Sequence, residues 1–459
     1  MVWIILRREI LDALVGLRFH LTLGLTVLLM LAAALLFPLR YEGMVADYNQ
    51  ARAHALQELS RAAGQLKHLA GHLQVVSLPP SRLGFLASGH DDQLPSSVEV
   101  GISGLRRPAA ASGDDDPVDL EALDWSWLVQ VLLGSAAVVL TFDAFSGEKQ
   151  DGTLRQVAAN RVSRGAILVG KHLASLVVLL VPLAVGLLAG LLVLRLSGRV
   201  GLEGRHLVQV GLFGLASAAY LSAVVLASLL VSARTRQPHT SLVVLLVVWT
   251  VMTAVVPATG GALLGSPLAP FPTPEEASRR AAAAADEAEA RAGGSTHWVG
   301  EGYEPVTRRT VEVDRQRMYA AKQVQDEYLR ARLGAVTRVR ALLAISPAEA
   351  FAQASEGIAG TGLARVRRFL GQAEEYRGRF EEFFQAEDMK DPDSFHLFYH
   401  IDYMSGRPVD VAQIPQFGEQ EPDWRDDLVA AAAPLAVLLL WNGVLFLAAY
   451  AAFLRCDIR

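Results

Sequence analysis

Cysteine is almost missing from this chain. Cys456 is the only one in 459 residues, which excludes an intrachain disulfide and any zinc site built on thiolates. Charge is scarce too: Asp, Glu, Lys and Arg make up 19%, against roughly 25% in ordinary soluble proteins. Positive charge is not in surplus. A net charge of -5 and a pI near 6.1 argue against a basic domain that binds nucleic acid. Catalytic signatures are also lacking. There is no HExxH, no GxSxG and no pair of aspartates within a membrane span, so an intramembrane enzyme has no convincing catalytic set. Apolar side chains are what the chain has, at 52% with a mean hydropathy of +0.30. The length alone would allow about three domains, but the apolar residues are clustered.

A helix crosses a bilayer core with about 20 apolar residues. Six windows meet or approach this: Leu21 to Pro38, Trp125 to Phe142, Leu173 to Leu194, Leu207 to Val231, Thr240 to Leu264 and Leu428 to Leu454. Pro182, Pro257 and Pro434 lie in or near them, which membrane helices tolerate when neighbours satisfy the freed backbone groups. A signal peptide is the competing reading of the first window, with Arg7 and Arg8 ahead of it and Ala32 to Ala34 as a cleavage mimic. The leading region is long and holds Glu9 and Asp12, which suits an amphipathic helix better than a short basic leader.

Basic residues orient the spans. Arg7, Arg8 and Arg18 precede span 1, and Lys149, Arg155, Arg161 and Arg164 join spans 2 and 3. Arg234 and Arg236 join spans 4 and 5, and Arg455 and Arg459 close the chain. All fall on one side, predicted cytoplasmic, with both termini inside; Arg195, Arg199 and Arg205 dissent mildly. The expected fold is an all-α polytopic membrane protein. Its spans cover 20–38, 125–145, 167–194, 207–231, 240–264 and 428–454. Inside lie an amphipathic helix over 1–19, a segment over 146–166, a loop over 232–239 and a tail over 455–459. A short loop over 195–206 and two large inserts, 39–124 and 265–427, lie outside, the inserts forming one mainly helical extracytoplasmic domain.

Periodicity fills in the inserts. Met44, Tyr48, Ala51, Ala55, Leu59, Ala62, Leu66, Leu69 and Leu73 recur in steps of three and four, one face of a helix that would project roughly 50 Å beyond span 1. The stretch from Pro79 to Asp116 is rich in Gly, Ser and Asp and reads as loop with room for short strands. Thr273-Pro274-Glu275-Glu276 spells a helix start with a capping box, and Ser346-Pro347-Ala348-Glu349 spells a second. Between them a helix is expected over about Thr307 to Ala344, and a charged one runs from Gly360-Thr361-Gly362 to about Gln385.

The inside segments are too short to hold a catalytic domain, so any motor must be another chain. The densest motif is among them: Phe145-Ser146-Gly147-Glu148-Lys149-Gln150-Asp151-Gly152-Thr153-Leu154-Arg155, continuing through Ser163-Arg164 and Gly170-Lys171. It resembles the coupling segment of type-2, export-type ABC transporter permeases, where Glu, then Gly-Thr-Leu, then Ser-Arg and Gly-Lys come after the second span. The N-terminal helix with Glu9 and the six spans fit the same family. Ile345 to Phe351, Ala359 to Gly362 and Arg367-Arg368-Phe369 resemble a branch with a large extracytoplasmic insert of unknown function before the last span. Gliding-motility and nitrous-oxide-reductase maturation permeases are more distant relatives of that branch.

The resemblance implies a permease subunit without an ATPase site. ATP and Mg would sit on two copies of a partner ATP-binding subunit, and a second permease, the same or similar, would complete the path through the lipid bilayer. The ATPase-coupling interface would comprise Glu148, Asp151, Gly152, Thr153, Leu154, Arg155, Ser163, Arg164 and Glu9. Glu148 would pair with a basic group on the partner, Gly152 would permit a tight turn and Thr153 would cap the residues after it. The bland alternative is a loop of solvated charges. No nucleic acid is expected, and a periplasmic protein partner is an option for the outer domain.

Other signals are weaker. Gly165 to His172 nearly spells a phosphate-binding loop, but His172 replaces the magnesium-holding Ser/Thr and the residues enter span 3; Lys171 then reads as an interfacial lysine. His396 and His400 are four apart, a candidate metal pair set among aromatics that favour packing. Ser88 to Asp91 gathers serine, histidine and aspartate too closely in sequence for a catalytic relay. Gly186 and Gly190 form a small-xxx-small pair for close helix packing. Asn442 suits an inter-helix hydrogen bond, while Asp143 reads as hydrated. The rival function is a membrane-anchored scaffold or sensor with no ATPase, which leaves the coupling motif unexplained.

Overall fold

The computed structural model describes residues 2–89, 96–102, 104–106, 124–153, 163–293, 304–398, 403–420 and 424–456, with backbone only for 304–307. Among the described residues, six helices are long and apolar enough to cross a membrane: Leu17–Ala62, Trp125–Gln150, Arg164–Ser197, Gly204–Arg234, Pro238–Leu263 and Trp424–Leu454. They are spans 1 to 6. The N-terminal helix α1, Val2–Val15, is separated from span 1 by Gly16 and lies against span 3, where Ile5 packs on Gly170.

Span 1 is 46 residues, about 70 Å of helix, so it runs well past any bilayer. The periodicity continues to Leu73, but the helix stops at Ala62. A short helix α2, Leu66–Gly71, comes after a turn. Tertiary pairing outweighs the local pattern here. The Leu66 and Lys67 amides donate to the Arg407 and Ser405 carbonyls at 2.9 and 3.1 Å, and Leu66 and Leu69 bury among Phe380, Phe384 and Met404. A continuous helix would forfeit both sets of contacts.

The two inserts make one body. The first contributes an antiparallel sheet, β1 Gln74–Ser77, β2 Ser97–Gly101 and β3 Gly104–Arg106, in that order. Val76 pairs with Val98 and Val100 with Leu105, and this apolar face meets Val336, Phe369 and Tyr376 of the second insert. That insert is helical: α3 Pro274–Arg291, α4 Glu304–Leu343, α5 Pro347–Ala359 and α6 Leu363–Asp388. At α3 the Thr273 hydroxyl accepts the Glu276 amide while the Glu276 carboxylate accepts the Thr273 amide, at 3.2 and 3.1 Å, a closed capping box.

The second capping box does not form. The Ser346 hydroxyl donates instead to the Met252 carbonyl at 2.9 Å. Met252 lies in a π-turn of span 5, Val251–Val255, where the widened ladder leaves a carbonyl to be satisfied. This bond reveals the depth of α5. Met252, Tyr220 and Trp441 all sit mid-span. Phe351 stacks on Tyr220 at 5.1 Å, and the Trp441 indole donates to the Ile345 carbonyl at 2.7 Å. The turn at 344–346 therefore lies deep in the bundle, and α5 climbs back from it for about 20 Å. Hydropathy assigns all of 265–427 to the outer block; within that stretch α5 packs into the helical bundle against spans 4, 5 and 6, because alanines and glycines let it pack closely. A Cβ on Gly357 would lie 2.8 Å from the Ala431 amide nitrogen of span 6.

Candidate functional site

Lys171 is the centre of the site. It lies about two turns inside span 3 and is only 5% exposed. An ammonium in an apolar span needs anionic partners. Two are supplied by different elements: Glu9 of α1 at 2.7 Å and Glu148 at 2.8 Å. Glu148 thus has a partner within the chain. Its second oxygen, Oε2, is buried without a hydrogen bond. The Lys171 ammonium also lies 5.8 Å from the Phe145 ring centre, and Phe145 stacks on Phe453 of span 6 at 4.5 Å.

The rest of the segment is bolted to other spans. The Lys149 ammonium donates to the Ala233 and Thr235 carbonyls at 2.5 and 2.9 Å, filling the unsatisfied C-terminal acceptors of span 4. The Ser232 hydroxyl accepts the Phe145 and Ser146 amides, both at 3.0 Å. Arg164 donates to the Phe453 and Leu454 carbonyls at 2.9 and 2.6 Å, closing the end of span 6. Ser163 caps span 3 by accepting the Ala166 amide at 3.3 Å. Asp143 is not merely hydrated: Arg18 of span 1 reaches it at 3.0 Å.

Between these anchors the chain turns outward. Gly152 has φ +70, the left-handed conformation that glycine adopts without Cβ strain. Asp151, Gly152 and Thr153 are exposed, and Thr153 donates to the Glu148 carbonyl at 3.4 Å. Leu154 and Arg155 lie outside the described residues. The arrangement is an exposed tip rooted in α1 and, through Arg18, Lys171, Ser232 and Phe453, in spans 1, 3, 4 and 6. It suits the transmission of force rather than bond chemistry.

The remaining sequence candidates lie apart. A Cβ on Gly186 would sit 2.4 Å from the Met30 sulfur, and one on Gly190 2.4 Å from the Trp125 ring; the notches receive side chains of spans 1 and 2. Asn442 donates to the Ala219 carbonyl at 2.9 Å, tying span 6 to span 4. His396, at φ 52, is 3.1 Å from the buried Asp388 carboxylate; His400 lies outside the described residues. Among the described residues no three His, Cys, Asp or Glu side chains group to hold a metal. The segment Gly165 to His172 is ordinary helix of span 3, which withdraws the phosphate-loop reading. Sequence reasoning does not select Lys171, Lys149, Arg18 or Ser232 for the site. The first has a usable signal, a cation within an apolar span opposite two motif carboxylates.

No curated protein matches the chain. The family described as ABC-2 family transporter protein matches residues 3–458, nearly the whole chain, and the chain therefore belongs to that family.

Proposed function

We propose that this chain is the permease subunit of an ATP-driven exporter, with two ATP-binding subunits docked at the tip formed by residues 151–153. ATP and Mg sit on those partners. The second permease is the same or a similar chain. The tip faces the cytoplasm of a bacterial inner membrane, with both termini on that side, and the paired inserts form a periplasmic domain that receives cargo or docks a periplasmic protein. The observation that carries this reading is the exposed turn at Gly152, rooted through Glu148 and Lys171 into α1 and span 3. ATPase closure that pushes on such a tip moves the spans and α1 together. The basic residues on the tip side support the orientation.

The test is co-purification of the tagged chain from its native membrane in mild detergent. An ATP-binding subunit should appear at comparable abundance. Asp151→Arg and Thr153→Trp, both at exposed positions, should remove it while the chain stays monodisperse. An ATPase that stays bound to both variants, or is absent in several detergents and in nanodiscs, refutes the docking site and leaves the scaffold reading ahead.

A further inference from the structure

β1 is an edge strand. Among the described residues it pairs with β2 alone, and the register fixes which of its main-chain groups that pairing uses. The Leu78 amide donates to the Ser96 carbonyl at 2.8 Å, so these two residues face each other as a hydrogen-bonded pair. Antiparallel ladders alternate bonded and non-bonded pairs. Val76 with Val98 and Gln74 with Val100 are then bonded pairs, whereas Val75 with Glu99 and Ser77 with Ser97 are not. The amides and carbonyls of Val75 and Ser77 therefore point away from the sheet. Among the described residues nothing pairs with these four groups. A row of such groups is a template for a further strand.

A cleft of about 70 Å³ runs along this edge. All four residues of β1 line it, those of both sheet faces, which places it beside the strand rather than above the sheet. Its far wall is one face of the long helix of span 1, with Tyr48, Ala51, Ala55 and Leu59 in steps of three and four and Arg52 beside them. The space holds one short apolar side chain, or two waters at roughly 30 Å³ each. Two polar side chains in the lining have unused groups. Gln74 is only 7% exposed. One end of its amide meets the Tyr376 hydroxyl, which also reaches the Pro415 carbonyl at 3.0 Å; the other end, Nε2, is buried with no hydrogen bond. A hydroxyl has one proton to donate, so turning the amide over serves Tyr376 equally and leaves Oε1 unpaired instead. A peptide link answers either end, because it carries both a donor and an acceptor. Arg52 is exposed, and among the described residues it has no carboxylate or hydrogen-bond partner.

We propose that the outer edge of β1 binds an extended, acidic peptide segment as a fourth strand of the sheet. Main-chain bonds to Val75 and Ser77 hold the segment, one short apolar side chain fills the cleft, and a carboxylate meets Arg52. A compact solute would leave the strand edge unused, and a lipid chain would bury its four polar groups unpaired. Calling the peptide cargo rests on the permease reading above; the binding itself does not.

The experiment uses the full chain in nanodiscs of neutral phosphatidylcholine, without any ATPase, so it can fail or succeed independently of subunit docking. The probe is a fluorescein-labelled octapeptide of alternating threonine and valine that ends in a free aspartate, read by fluorescence anisotropy against empty nanodiscs. Binding should saturate. Two further peptides carry N-methyl groups at alternate residues, one in each frame. The frame that blocks the bonding edge should bind about tenfold more weakly than the other. Ser77→Pro removes one outward amide and no ladder bond. It should weaken binding about tenfold while the melting curve holds. A peptide ending in lysine amide should bind about tenfold more weakly than the aspartate form, and Arg52→Gln, at an exposed position, should erase that difference. Equal binding by the two methylated frames overturns strand pairing. Binding that Ser77→Pro leaves unchanged puts the peptide elsewhere and overturns the site. A preference for aspartate that survives Arg52→Gln overturns the carboxylate contact. Absence of saturable binding at millimolar peptide means that the cleft holds water only and overturns the proposal.

Discussion

Lys171 shows how much one buried charge can organise. It holds two carboxylates from elements far apart in sequence, Glu9 and Glu148, so its removal leaves two like charges facing each other in a poorly hydrated site. Losing one member of a buried pair typically costs about 3–5 kcal/mol. Lys171→Met is therefore expected to lower the melting temperature in detergent sharply. The triple change Lys171→Met, Glu9→Gln, Glu148→Gln should recover most of the loss, since it removes the orphaned charges together. A triple variant no more stable than the single would show that the damage lies in packing. Gly152 is the opposite case. A Cβ there meets nothing within 4 Å, so Gly152→Ala acts only through φ, at about 1–2 kcal/mol of local strain. Because the tip is exposed, the strain should alter the turn rather than unfold the chain. ATPase stimulation by the permease should fall while the melting curve barely moves.

At the scale of elements, α5 is where sequence and structure part. Ser346-Pro347-Ala348-Glu349 has the pattern of a solvent-exposed helix start, and Pro347 does open the helix. What the pattern could not convey is that Ser346 has a better acceptor across the bundle, the Met252 carbonyl. Nor does hydropathy flag a helix of alanines and glycines that also carries Glu356 as buried within the bundle; Glu356 is accommodated because Arg340 pairs with it. The close approach of α5 to span 6 predicts that Gly357→Leu is incompatible with the native packing, destabilising by about 1–3 kcal/mol. Disulfide trapping between cysteines placed on α5 and span 6 would report the separation; unchanged trapping efficiency would contradict the close approach. The loop after α6 carries a pH signature. The Ser405 hydroxyl, against desolvation and helped by the Asp393 amide and Arg407, holds the Asp391 carboxyl below its usual range. A depressed carboxylate stabilises fully above its unfolded pKa of about 3.9 and loses that contribution as pH falls through the lower folded value. Melting temperature should thus drop on acidification below about pH 4, and Asp391→Asn should flatten part of that slope.

Across the whole molecule, the membrane spans were readable because their signal is local: long apolar runs need no knowledge of neighbours. The union of the two inserts was readable only as a consequence of topology, and its contacts were not. Val76 against Phe369, or Leu66 against Phe380, joins segments some 300 residues apart, which no window along the chain can register. The coupling motif was legible as a pattern, yet its anchoring at Lys171 emerged only when α1, span 2 and span 3 were brought together. One long-range feature does bear on orientation. Among the arginines that dissent from the basic-inside pattern, Arg199 is paired with Glu42 and Arg205 with Glu203. Their charges are locally offset, so they weaken the topogenic asymmetry less than a bare count suggests. The basic groups near the tip are used differently, Lys149 and Arg164 being spent on helix-end carbonyls that translocation would have to expose. That asymmetry predicts a fixed orientation, testable in a Cys456→Ser background. A cysteine at Thr153 should react with an impermeant maleimide only in inverted membrane vesicles, and one at Arg280 of α3 only in intact spheroplasts. The reverse pattern would place the tip outside, where no ATPase could reach it, and the role of the coupling segment would have to be abandoned along with the orientation.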